Sequence, residues 1–98
     1  MNIQAMMKQA QKMQKDMLAA KEEIDSKVFT ASSSFVTVKV KGNKEIQEVK
    51  IDTDHLDKDD LEMLEDMITV AINNALKQID EETEAKLGKY TQGMPGLF

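Results

Sequence analysis

The sequence contains no cysteine, no arginine, a single proline and four glycines among its 98 residues. Without cysteine there can be no disulfide, no thiol nucleophile and no zinc–thiolate site. Without arginine the usual bidentate reading of guanine edges is lost, which argues against a sequence-specific DNA reader of the common kind. Long apolar runs are missing too. The longest mostly apolar stretch, Met67 to Ile72, falls far short of the ~20 residues that a membrane span needs. The first residues hold no apolar segment of the secretory type, so a cytoplasmic location is expected.

What is present is 41% hydrophobic and 32% charged, enough apolar residues for a folded core. The length predicts one domain over residues 1–98. A chain this short buries only about 60–65% of its surface, so a partner that hides more would stabilise it. The net charge of −5 is unevenly spread: +3 over residues 1–50 and −8 over residues 51–98.

Residues 1–26 read as a long amphipathic helix. Ile3, Met6, Ala10, Met13, Met17, Ala20 and Ile24 recur at alternating steps of three and four, and neither Gly nor Pro interrupts them. At 1.5 Å per residue the helix is roughly 35 Å long, too long to lie wholly on a small sheet. Part of it is expected to project or to pack on another chain.

The period then changes to two. Val28–Ala31 reads as a short strand, and Ser32-Ser33-Ser34 as a polar turn. Phe35–Lys41 alternates, with Val36, Val38 and Val40 on one face, and Gly42-Asn43 supplies hairpin chemistry. Glu45–Ile51 is the third strand, with Val49 and Ile51 on one face and Ile46, Glu48 and Lys50 on the other. After an acidic stretch with one expected helical turn near Asp54–Leu56, a second long helix begins near Asp57 or Asp59, where carboxylates suit the positive helix end. Its Met67–Leu76 stretch is apolar nearly all round and is expected to be buried on more than one side. The pattern fades near Gly88, and Lys89–Phe98 reads as a flexible tail. The fold class is α+β: helix, three-stranded antiparallel sheet, helix.

Catalytic signals are weak. His55, the single histidine, stands among Asp52, Asp54 and Asp57, an arrangement that reads first as a solvated loop before a helix. An EF-hand reading of the same stretch fails at its fifth, sixth and twelfth positions, Leu56, Asp57 and Met63. The Met6, Met7, Met13 and Met17 stripe reads as packing rather than as a docking face. Lys8, Lys12 and Lys15, at i, i+4 and i+7, share one helix face over about 10 Å and match a phosphate backbone in charge and reach. Spacing alone equally describes a solvated face.

The run Met7-Lys8-Gln9-Ala10-Gln11-Lys12-Met13-Gln14 resembles the opening helix of the YbaB/EbfC family of bacterial nucleoid-associated proteins. Val38-Lys39-Val40 before Gly42, Val49-Lys50-Ile51-Asp52, Leu64-Glu65-Asp66-Met67-Ile68 and Gly93-Met94-Pro95-Gly96 extend the resemblance along the chain. Ser32-Ser33-Ser34 stands where members usually carry glycines, and arginines common in the family are absent. The resemblance implies a cytoplasmic, nucleoid-bound homodimer joined through its sheet, whose helical arms bind double-stranded DNA with little sequence preference. On that basis Lys8, Lys12 and Lys15, helped by Lys86 and Lys89, are the expected DNA contacts. Val36, Val38 and Val40 are expected at the dimer interface. No enzyme activity, cofactor, metal, membrane or small-molecule substrate is expected. The competing reading is a prefoldin-like helical interaction module without DNA binding.

Overall fold

In the computed structural model, which describes residues 2–91, the elements run α1 (Ile3–Ser26), β1 (Val28–Ser33), β2 (Val36–Lys41), β3 (Ile46–Ile51), a short 3₁₀ turn (Lys58–Asp60) and α2 (Leu61–Thr91). The strands form one antiparallel sheet in the order β1-β2-β3. Asn2 starts α1: its side-chain oxygen accepts a hydrogen bond from the Ala5 N–H at 3.2 Å, satisfying one of the free donors of the first turn. At Lys27 the backbone becomes extended and the helix stops.

The helical turn expected at Asp54–Leu56 lies instead at Lys58–Asp60. There the Asp57 N–H donates to the Asp60 carboxylate at 3.1 Å, and the Asp60 N–H donates to the Asp57 carbonyl at 2.9 Å. Gly88 does not end α2, which continues to Thr91. Leu87 and Tyr90 pack on either side of that glycine, and their burial outweighs the ~1 kcal/mol that a helical glycine costs. The remainder of the expected tail, residues 92–98, lies outside the described residues.

The two hairpin turns use unexpected residues. Ser34 takes the left-handed conformation between β1 and β2 at φ 53°, and Lys44 does so between β2 and β3 at φ 74°. Gly42 serves a different purpose. A Cβ at Gly42 would run into the Ile24 carbonyl oxygen, so only glycine lets this turn press against the end of α1. The Gly42 N–H completes the contact by donating to the Lys27 carbonyl at 2.9 Å.

The core lies between one sheet face and α2. Phe29, Ala31, Val36, Val38 and Val40 form its floor; Ala71, Ala75 and Ile79, spaced by four on α2, form its roof. The two alanines let the helix come close to the valines. Ile24 of α1 and Leu87 of α2 close the end. Val36, Val38 and Val40 are 0% exposed in the single chain. The face expected to meet a second copy is therefore already occupied by the chain's own α2.

The register extends this face onto β3. Ile51 stands opposite Val36, Val49 opposite Val38 and, after a shift between Lys39 and Val40, Ile46 opposite Val40. Strict alternation puts Ile46 on the other face; the extra residue at the irregularity returns it to the side of the valines. Here the roof is missing. Ile46, Val49 and Ile51 remain 48, 42 and 39% exposed.

Candidate nucleic-acid interface

Helices of 24 and 31 residues are about 36 and 46 Å long. They lie antiparallel but overlap only near their C-terminal ends, where Lys27 meets Glu82 at 2.6 Å and Lys86 meets Glu23 at 3.5 Å. The result is a rod of 71 × 21 × 15 Å. One end is the N-terminal part of α1, exposed from Asn2 through Asp16; the other is the start of α2. The projection expected from helix length is present.

Lys8, Lys12 and Lys15 all sit on this projecting arm, exposed, on the face opposite the row that leads down to Met17 and Ile24. Among the described residues none of the three has an ion-pair partner, so each ammonium faces water and is available to an incoming anion. The far end has the opposite sign. Residues 52–66 hold eight acidic side chains against one lysine, and they border the start of α2. Separating the charges along the rod lets a chain of net charge −5 carry a locally basic surface, with Lys8, Lys12 and Lys15 at one end and these eight carboxylates at the other.

Lys86 and Lys89 are placed differently. Lys86 is engaged with Glu23, eight residues or ~12 Å along α1 from Lys15. Lys89 lies one turn nearer the arm, with its ammonium 5.0 Å from the centre of the Tyr90 ring. The structure thus groups Lys8, Lys12 and Lys15 and leaves Lys86 and Lys89 at the arm's base. The Glu23 partner is the feature that helical spacing could not reveal, because it depends on how the two helices are paired.

Elsewhere the side chains offer little chemistry. His55 Nε2 lies 3.0 Å from Asp57 Oδ1 on an exposed loop. Among the described residues no cluster of three or more His, Cys, Asp or Glu could hold a metal ion, and no helix is long and apolar enough to cross a membrane.

Comparison with known proteins adds a family to this geometry. The model of the YbaB/EbfC DNA-binding family matches residues 1–94. A nucleoid-associated protein of Enterococcus faecalis is 46% identical over 98 residues, covering 98% of this chain and 94% of that one. A nucleoid-associated protein of Clostridium novyi is 50% identical over 102 residues, covering 100% and 90%. The fold is similar to that of an uncharacterized protein from Helicobacter pylori, with a TM-score of 0.70 at 22% identity over 87% of this chain and 91% of that one.

Proposed function

The chain belongs to the YbaB/EbfC DNA-binding family, and from that premise we propose that it acts as a homodimer that holds duplex DNA with little sequence preference. The observation that carries this reading is the stripe of Lys8, Lys12 and Lys15, without ion-pair partners among the described residues, on an arm set apart from the acidic end. Lysine contributes point charges to phosphates and little base readout, so affinity should depend on salt far more than on sequence. Its relatives bear the name of nucleoid-associated proteins, and the cytoplasmic nucleoid is the matching location. The protein works by binding, without a chemical step.

The dimer contact we propose is the unroofed strip of Ile46, Val49 and Ile51, which continues the core face and leaves three apolar side chains in water. A second copy approaching this strip completes both cores. The helical interaction module is a poorer fit. A prefoldin-like seam pairs two helices along their length, whereas here α1 and α2 meet only near their ends and α2 spends its apolar middle on a sheet.

Titrating the protein against two unrelated duplexes at 50 and 200 mM salt tests the reading. Two arms engaging six to ten phosphates should lose affinity by ~10³ or more over that range, equally on both duplexes. Changing Lys8, Lys12 and Lys15 together to Gln should weaken binding on both and flatten the salt dependence. A folded triple variant with unchanged affinity and slope would place the contact surface elsewhere.

A further inference from the structure

The apolar row of α1 has two halves. Met17, Ala20 and Ile24 pack against the core, while the same row continues through Met13, Ala10, Met6 and Ile3. In that second half Ile3, Met6 and Met13 are 70, 53 and 50% exposed. Steps of three and four make the row a coiled-coil seam, and the positions flanking its exposed half are Asn2, Met7, Gln9, Gln14 and Asp16. Only the last is charged. Lys8, Lys12 and Lys15 all fall on the outer positions, away from the seam. A seam with such flanks accepts a second copy of itself without setting like charges side by side.

Side-chain volume fixes the direction of such a pair. Parallel and in register, Ala10 would face Ala10 across a gap while Met6 crowds Met6. Antiparallel, with the pair centred on residue 8, each Met6 fills the space over the other arm's Ala10, and each Ile3 meets the other's Met13. On the flanks Met7 and Gln9 each come beside their own counterparts, so the two glutamine amides can bond across the axis. Asp16 arrives at the other arm's first turn, where the helix dipole favours a carboxylate. There the Asn2 side-chain oxygen already accepts from the Ala5 N–H, and its NH₂ group is left to donate to that carboxylate.

We propose that α1 of a second copy lies antiparallel along the row of Ile3, Met6, Ala10 and Met13, about a two-fold axis near residue 8. The contact is self-complementary, the same patch serving on both arms. Each Ile24 then stands sixteen residues from the axis, so the two are ~48 Å apart and the sheets lie at opposite ends of the joined arms. Copies paired in this way cannot also share the β3 strip. The arms therefore join one sheet-paired dimer to the next, and the lysines face outward on both sides of the joint. Four turns of paired helix fall short of the ~1,200 Å² that stable interfaces bury, so the joint forms as the protein is concentrated. The pairing does not depend on the proposed DNA contact.

The absence of cysteine makes the test direct, because an introduced thiol is the only site for a thiol cross-linker. In the full chain, Gln9→Cys, at the axis, should be joined by a short bismaleimide ~10-fold faster than Gln11→Cys on the outer face, and more so at higher protein concentration. After dilution the joined particles should have at least twice the mass of untreated protein, whatever state that protein itself adopts. Adding Met6→Glu and Met13→Glu, both at exposed positions, should leave the circular dichroism unchanged and erase the difference in rate. Equal rates at the two cysteines overturn the proposal. So does a joined particle of unchanged mass, which would put both arms in one dimer. A preference for Gln9→Cys that survives both glutamates overturns it as well, because the seam would then not be the contact.

Discussion

Strands β2 and β3 lie side by side and carry the same alternation, yet their inner side chains meet opposite surroundings. Val36, Val38 and Val40 are sealed under α2; Ile51, Val49 and Ile46, directly across the ladder, face water. The difference is positional. In the order β1-β2-β3, α2 roofs the first two strands, drawn down by Ala71 and Ala75, and leaves the third at an uncovered edge. An apolar alternation therefore specifies which face turns inward, but not whether the chain itself supplies the cover.

Substituting aspartate across one rung breaks or confirms this contrast. Val38→Asp places a carboxylate with no partner in the closed core and should cost more than ~3 kcal/mol, enough to abolish the circular dichroism of the folded chain. Val49→Asp puts the same charge directly opposite but at the open strip. It should leave the subunit folded, within ~1 kcal/mol, while sedimentation shows monomers in place of dimers. If both variants unfold alike, β3 is as enclosed as β2 and the contrast is lost. A Val49→Asp variant that remains dimeric moves the interface off this strip.

The two glycines of the described chain sharpen the picture, since one lies at the close approach beside β2 and the other in open helix. Gly42→Ala drives a Cβ into the Ile24 carbonyl and should cost about 1–3 kcal/mol in urea unfolding. Gly88→Ala meets only the Glu84 Cγ, at 3.9 Å, and should instead stabilise by up to ~1 kcal/mol through helix propensity. Equal effects at the two sites would mean that the turn is not held against α1.

The helix–sheet–helix order, the projection of α1 and the lysine face were legible because each is local. Periods of two and 3.6, helix length and i, i+4, i+7 spacing need only neighbouring residues. The rest depended on contacts between distant segments. Alternation marks Val36, Val38 and Val40 as one apolar face but carries no record of α2 lying on top of it. Alternation puts Ile46 on the other face, and only the irregularity that shifts the register by one residue brings it back beside the valines. Gly42 carries the turn's close contact while Lys44 carries its positive φ, a division set by the proximity of α1 rather than by turn preference. At the candidate interface, the separation of Lys8, Lys12 and Lys15 from the acids followed only once the antiparallel offset of the helices was known.

The smallest expected effects come from the turns on either side of β2. Ser34 and Lys44 both hold a left-handed backbone that costs an L-residue about 1–2 kcal/mol and costs glycine nothing. Glycine is more flexible in the unfolded chain, which returns part of the gain, so each Gly substitution should stabilise by ~0.5–1 kcal/mol. Lys44→Gly also removes an exposed ion pair with Asp80 at 3.9 Å, a loss of a few tenths of a kcal/mol. Ser34→Gly joins two roofed strands, so its gain should be the same at every protein concentration in thermal unfolding. Lys44→Gly joins the roofed strand to the open one. If β3 is held in place partly by a second copy, its gain should grow as the protein is concentrated, because the turn is fully ordered only in the dimer. Identical, concentration-independent gains would show that β3 is as firmly held in the single chain as β2.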